Sequence, residues 1–346
     1  MSFPAPSRLR LDGEALVNNW KAMARLSGIA GTGAAVKADA YGLGARHVVP
    51  RLWEAGCRDF FVAHWAEAEA IADLIPPSNI SVLNGVNADE FALARSMGAV
   101  PVLNTPGQIM AWRNAGGGRC HVMVDSGMNR LGLGPEQVSA QLFDGLEVDI
   151  LMSHLASADE DVEQNAMQLG RFKELSSAIS AERKSLANSA GVVLGPDYHF
   201  DLTRPGIALY GAAVVENLAE AIHAVVRIEA RILQVRHLGA GEPVGYNASW
   251  QTQQPTTLIT VAYGYADGYA RAFANCGTVI VNGHICPVVG RVSMDLITIA
   301  VGKDQAPEEG DWVEIGFDLQ AASQASGISP YELLTKLGNR SERLWA

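Results

Sequence analysis

The stretch Ala34-Ala35-Val36-Lys37-Ala38-Asp39-Ala40-Tyr41-Gly42-Leu43-Gly44 sets a lysine inside an apolar run and follows it with a tyrosine and two glycines. Read as a strand over 34–40, the run ends in polar residues. Seven further short apolar runs repeat that arrangement, at 60–65, 80–84, 100–104, 120–125, 148–154, 185–189 and 199–204, with helical patterns such as 65–74 and 88–97 between them. Eight βα units in succession match a (β/α)8 barrel better than a doubly wound sheet. Several runs are near-continuously apolar, as strands buried on both faces should be. After residue 221 the pattern changes to β-rich runs separated by glycine turns, at 225–235, 257–263, 277–281, 288–300 and 311–315. A last segment over 329–337 reads as a helix, with Ser329 as N-cap and Pro330 at its first position. The expected fold is α/β: an N-terminal (β/α)8 TIM-type barrel over 1–220, then a smaller, mainly β domain over 221–346. The first residues, about 10 of them, are available to pair with that second domain.

A chain of 346 residues exceeds the usual single-domain size, and 48% hydrophobic against 18% charged residues suits a large core. A formal net charge of -11 leaves no basic footprint for nucleic acid. Residues 1–11 carry Pro4, Pro6, Arg8 and Arg10 without a continuous apolar core, so they read as neither signal peptide nor anchor. No stretch reaches the roughly 18 unbroken apolar residues expected of a spanning helix. Cys57, Cys120, Cys276 and Cys286 are scattered and read as reduced thiols of a cytoplasmic protein.

In a barrel of this type the C-terminal ends of the strands carry chemistry and the opposite face carries stability. Lys37 to Tyr41, Asn84, Arg130, His154, Ser189 and Arg204 all fall at or just past such ends. A lysine in an apolar run is costly unless paired or neutralised, and burial lowers its pKa toward the range of a nucleophilic amine, as a Schiff-base lysine requires. Taken alone, Lys37 reads equally well as a side chain snorkelling to solvent. The glycines and tyrosine beside it weigh toward chemistry. Arg130 alone reads as a surface arginine and His154 as a core histidine. No second His or Cys lies at metal spacing from His154, so no metal is expected.

The run Val36 to Gly44 resembles the cofactor-lysine segment of the alanine racemases, fold-type III pyridoxal phosphate enzymes, and six further segments resemble that family over nearly the whole chain. By that resemblance, Lys37 holds pyridoxal phosphate. Val124-Asp125-Ser126-Gly127-Met128-Asn129-Arg130-Leu131-Gly132 puts on Arg130 the role of contacting substrate and cofactor, a role its planar, permanently charged fork suits. Two residues before Asp125, where many relatives have a lysine that steers this arginine, stands Met123. Ser153-His154-Leu155 makes His154 an orienting residue, and Ala187-Asn188-Ser189-Ala190 with Arg204-Pro205-Gly206-Ile207 assigns the phosphate to Tyr41, Ser189, Gly206 and Ile207. Arg204 is expected to face the pyridine nitrogen. An arginine cannot give up a proton there, so the ring remains a weaker electron sink and side reactions such as transamination are suppressed.

Pro243-Val244-Gly245-Tyr246-Asn247-Ala248-Ser249-Trp250 resembles the segment of the family's second base, Tyr246. Inverting a carbon centre requires a proton removed from one face and returned to the other, which two opposed groups accomplish. Tyr263-Gly264-Tyr265-Ala266-Asp267-Gly268-Tyr269 and Gly290-Arg291-Val292-Ser293-Met294-Asp295 place Tyr265 and Asp295 at the substrate entrance and give Met294 a backbone N–H for the substrate carboxylate. Asn339 stands where some relatives gate the pocket with a tyrosine. The resemblance implies interconversion of L- and D-alanine in a cytoplasmic homodimer with shared active sites, serving peptidoglycan synthesis or alanine catabolism. The alternatives on this fold are a broad-specificity or serine-preferring racemase, a decarboxylase, which Arg204 disfavours, and a non-catalytic cofactor-binding protein, which would not need Tyr246.

Overall fold

A computed structural model describes residues 3–302, 305 and 307–346. The chain forms two compact units, one of Leu16–His223 and the other of the chain up to Ala15 together with everything from Ala224 onward.

In the first unit, parallel strands Ala34–Ala35, Phe60–Val62, Ile80–Val82, Val100–Leu103, Arg119–Met123, Glu147–Met152 and Arg183–Ser185 pair in sequence order. Their side chains are almost wholly buried, as in Phe60, Phe61, Val62, Ile80 and Val82, because both faces of a parallel sheet are covered. An eighth strand, Leu202–Thr203, closes the ring. On one side Asp201 N donates to Lys184 O at 3.0 Å and Arg204 N to Ala187 O at 2.8 Å. On the other, Gly31, Gly33 and Ala35 each donate at 2.9 Å, to Asp201, Thr203 and Pro205 carbonyls respectively. The helices follow local signals: Thr105 caps Pro106–Asn114 by accepting from Gln108 N, and a proline occupies the first turn, where no N–H is missed.

Two differences from the sequence reading matter. The first strand stops at Ala35, so Lys37 stands past its end rather than within it. The helices expected over 65–74 and 88–97 are shorter, at Trp65–Glu69 and Phe91–Met97.

At the N-terminal end of the barrel an ion-pair network ties four strands. Arg183 forks onto Asp59 at 3.0 and 2.9 Å and also donates to Asp149 at 3.1 Å, to which Arg119 Nε donates at 3.0 Å. Above it His121 lies buried between Ser81 Oγ at 3.0 Å and Ile150 N at 3.1 Å, and burial pushes its pKa down to about 3.

In the second unit, the described residues form an antiparallel sheet whose ring closes. Strand Val226–Leu238 pairs along its length with Ser7–Leu11, Trp312–Ile315 and Thr256–Val261, and Thr256–Val261 returns through Ile297–Val301, His284–Val289 and Thr278–Val281 to Trp312–Ile315. The run expected as one strand over 288–300 is two strands around a loop. Helix Pro330–Thr335 is capped as expected, Glu332 N donating to Ser329 Oγ at 3.3 Å.

Burial pushes the Asp149 carboxyl up, but the hydrogen bonds from Arg183 and Arg119 together outweigh it and hold it below the usual value. A depressed carboxylate contributes stability that is present above its unfolded pKa and is lost as pH falls through its folded one. Replacing Asp149 by Asn should therefore lower the melting temperature at pH 7, and the gap from wild type should close below about pH 4. Melting curves that keep a constant gap down to pH 3 would contradict this.

Candidate active site

The first strand's ladder with the second runs Ala34 N to Asp59 O and Val36 N to Phe61 O, both 2.8 Å, and stops. Immediately beyond Lys37, Ala38, Asp39, Ala40 and Tyr41 all adopt left-handed conformations, with φ between 53° and 55°. For residues bearing a Cβ this costs about 1–2 kcal/mol each, so the surroundings must impose it. Ala38 N donates to Glu67 Oε1 and Ala45 N to Asp39 Oδ1, each at 2.7 Å, and Gly42, at φ 86°, closes the turn by donating to Ala38 O at 2.8 Å.

The turn delivers Lys37 and Tyr41 to the mouth of the barrel. Burial first, then the charge of Arg130, holds the Lys37 amine below the ordinary lysine value; Glu67 opposes this and Arg204 adds to it. Tyr41 is buried and stacked on Tyr210, ring centroids 4.6 Å apart, while Tyr210 donates to Ala35 O at 2.8 Å. A Cβ on Gly206 would lie only 2.4 Å from Tyr41 Oη, so the hydroxyl is drawn against bare backbone. Beside it, Ser189 Oγ accepts from Gly206 N at 2.9 Å and Ala208 N at 3.3 Å. Tyr41, Ser189, Gly206 and Ile207 thus form one buried cluster in which backbone N–H groups converge with two hydroxyls.

Arg204 is fully buried, donating to Ser185 Oγ and to Ser153 O, and among the described residues no carboxylate pairs with it. Burial lowers its pKa to about 10, which leaves it charged at neutral pH. His154 is pushed down to about 3 by burial and by Arg204, Arg130 and Lys37. The Gln168 amide locks its backbone, donating to His154 O at 2.9 Å and Ser126 Oγ at 3.2 Å and accepting from Ala156 N at 2.8 Å. Arg130 is exposed, on a loop that Asp125 shapes by accepting from Gly127 N and Met128 N, each at 2.8 Å; Met123, near the start of that loop, is buried.

In the second unit, Tyr246 is 67% exposed on a turn in which Gly245, Asn247 and Ala248 have positive φ. Gly245 packs beside the backbone of Arg291, at the start of the loop that carries Met294 and Asp295. That loop holds the Tyr265 segment: Tyr265 N donates to Ser293 O at 3.0 Å and Ala266 N to Met294 O at 2.9 Å, and a Cβ on Gly264 would meet Met294 O at 2.4 Å. Asp295 is fixed by Arg340 at 2.8 Å, next to exposed Asn339.

Family models for the alanine racemase N-terminal domain and C-terminal domain match residues 11–214 and 225–345. The chain belongs to the alanine racemase family. It is 41% identical to the alanine racemase of Rhizobium meliloti, over 99% of this chain and 97% of that one. The alanine racemase from Bartonella henselae, whose structure has covalently bound pyridoxal phosphate, superposes with a TM-score of 0.93 at 38% identity, over 99% of this chain and 100% of that one. The biosynthetic alanine racemase from Pseudomonas aeruginosa gives a TM-score of 0.90 at 33% identity, over 99% of each chain.

The sequence-expected residues of the barrel form two adjoining groups of this alanine racemase family chain, Lys37, Arg130, His154 and Arg204 by mutual charge, and Tyr41, Ser189, Gly206 and Ile207 by contact. The residues that hold them, Glu67, Gln168, Ser185 and Tyr210, end no apolar run in a way that marks them as site residues. Glu67 left one local trace, its place at the third position of a helix beginning after His64, where an acid commonly reaches back to free N–H groups.

His154 should stay neutral throughout the physiological range. Ring nitrogen NMR shifts of the labelled histidine should show no titration between pH 5 and 8; a midpoint near the ordinary histidine value would mean that the cationic surroundings do not act on it.

Proposed function

We propose that the protein interconverts L-alanine and D-alanine with pyridoxal phosphate, using Lys37 and Tyr246 as proton carriers on opposite faces of Cα. The observation that carries this reading is the buried, positively charged barrel mouth, where Lys37 and Arg204 lie with neutral His154 and, among the described residues, no acid pairs with Arg204.

The residues present fit the cofactor. The Gly206 backbone, open where a Cβ would fill the space, converges with Tyr41 and Ser189 on a cradle suited to a phosphate. Lys37 is the amine that would hold the carbonyl carbon, and Arg204 the charged donor that would face the ring nitrogen. When bound, the cofactor supplies an electron-withdrawing system that makes the Cα proton of an attached amino acid removable. The remaining steps belong to this chain. A depressed lysine pKa leaves a fraction of the Lys37 amine free to accept a proton. Arg130 and the Met294 N–H orient the carboxylate, and Tyr246 takes or returns the proton on the other face, from the L-enantiomer, while Lys37 acts on the D-enantiomer. Arg204, charged below about pH 10, does not hand a proton to the ring.

We further infer a homodimer in which each copy's second unit completes the partner's barrel. Tyr246, Tyr265 and Met294, at 67%, 43% and 53% exposure, sit on adjoining loops and leave aromatic and thioether surface in water, as an unmet interface does. A cytoplasmic location agrees with the free state of all four cysteines and with the absence, among the described residues, of any helix long and apolar enough to cross a membrane. The D-alanine formed would serve peptidoglycan synthesis, or the reverse reaction alanine catabolism.

Purified protein loaded with pyridoxal phosphate should show the visible absorbance of a lysine-bound cofactor and convert L-alanine to a mixture of enantiomers on chiral chromatography; release of carbon dioxide without D-alanine would overturn the reading. Tyr246→Phe should lower racemisation by about 100-fold or more and keep the absorbance. In deuterated water that variant should still exchange the Cα proton of D-alanine while nearly losing exchange on L-alanine. Equal exchange on both would remove Tyr246 from its role.

A further inference from the structure

We propose that Glu67 is a positioning residue for Lys37: its carboxylate stands in for the next rung of the ladder between the first two barrel strands and so fixes where the lysine leaves the sheet. This rests on Lys37 as the cofactor lysine. The ladder's donors from the first strand are Ala34 N and Val36 N, accepted by Asp59 O and Phe61 O. Continuing by twos, Ala38 N would donate to Ala63 O. It does not: the chain turns left-handed at Ala38, and Ala63 O accepts from Asn84 N, just past the third strand, at 3.0 Å. Ala38 N donates to Glu67 Oε1 and Ala63 N to Glu67 Oε2, both at 2.7 Å. One carboxylate therefore bridges two strand ends that would otherwise part with two unpaired donors, one on each side of the point where Lys37 turns away.

The geometry is demanding. Both oxygens are used, each by a backbone N–H, and the side chain is only 17% exposed. Its own backbone is held in the helix Trp65–Glu69 that starts directly after the second strand, so the reach is set by the fold rather than by a mobile loop. On the far side of Ala38, the left-handed turn through Tyr41 is secured separately by Asp39 and Gly42. Lys37 is thus clamped between Val36, the last ladder residue, and Ala38. The charge matters as well as the shape, since Glu67 opposes the lowering of the Lys37 pKa by burial and Arg130. His64, 3.7 Å from Glu67, is the titratable neighbour on its own helix, and from the facing elements the charged groups are Lys37 and, through it, Arg130 and Arg204.

Glu67→Gln separates these contributions. An amide offers one oxygen and one NH2 group, so one of the two backbone N–H groups must face a donor. Amide hydrogen exchange on the full-length protein should show Ala38 or Ala63 losing protection by about 10- to 100-fold, while remote strand amides such as Leu258 and Ile259 keep theirs. The pH midpoint of the visible absorbance of lysine-bound pyridoxal phosphate should fall by about half a unit or more, because a negative charge that favours the protonated form is gone. Racemisation should drop mainly in kcat. Glu67→Asp retains the charge but not the span, and should keep the absorbance midpoint while losing the amide protection; it also carries the test if the Gln variant does not fold. Unchanged protection at both amides, or a loss of protection spread evenly over the chain, would overturn the positioning role. The exchange experiment reads the clamp itself, so it stands apart from whether the wild-type protein racemises alanine.

Discussion

Positive charge without a paired acid, held at the mouth of a closed barrel, is the constraint around which the first unit is organised. Arg204 is buried against a hydroxyl and a carbonyl, Arg130 stands on the loop after the fifth strand, and the Lys37 amine lies in the field of both. Desolvating such groups costs several kcal/mol per ion in a folded protein. The groups that can yield, Lys37 and His154, are both depressed, while the Arg204 guanidinium stays charged. A site of this kind is complementary to an anion. Closure of the ring matters because Arg204 follows the eighth strand, and the Thr203 and Pro205 carbonyls that flank it are held by Gly33 and Ala35 of the first.

The opposite end of the barrel obeys the reverse rule. There Asp59 and Asp149 meet Arg119 and Arg183 in compensated pairs, and His121 is neutral between a hydroxyl and a backbone N–H. Charge is balanced where the barrel needs only stability and unbalanced where it binds. The same strands serve both ends: Glu147–Met152 carries Asp149 near its start and leads into Ser153 and His154 past its end.

How much of this could be read from residues alone follows from how local each feature is. The eight strand runs were legible because burial on both faces leaves a continuous apolar signature, and the site residues were legible because they end those runs. The left-handed turn was not. The run from Lys37 to Tyr41 contains no glycine to ask for positive φ, and its conformation is held at Ala38 by Glu67 from the next unit of the barrel and beyond it by Asp39 and Gly42. Likewise the alternation of Val288, Val292, Met294 and Leu296 imitates a single strand, whereas Gly290 at φ 74° and the hydrogen-bonded Ser293–Leu296 turn break it into two. Gln168 and Ser185 leave no local mark for a related reason, since a polar residue that satisfies a distant group looks in sequence like any other.

Both candidate bases adjoin backbone that ordinary side chains avoid. Lys37 precedes four left-handed residues, and Tyr246 stands between Gly245 at φ 72° and the pair Asn247 and Ala248 at 60° and 48°. Residues in such conformations persist only where the surroundings over-determine them. For Lys37 the surroundings are the Glu67 carboxylate, reaching in from a helix, and Asp39 and Gly42 within the turn itself. For Tyr246 they are a short antiparallel pairing, Pro243 with Gln251 and Val244 with Trp250, pinned at its base by Thr252, whose hydroxyl accepts from Glu242 N at 2.9 Å. The lysine is thereby held on the rigid rim of a closed sheet, whereas the tyrosine projects from a two-stranded tip with its ring largely in water. The rigidity of the first candidate base and the exposure of the second therefore follow from two kinds of support, the rim of a closed sheet for one and a two-stranded tip for the other.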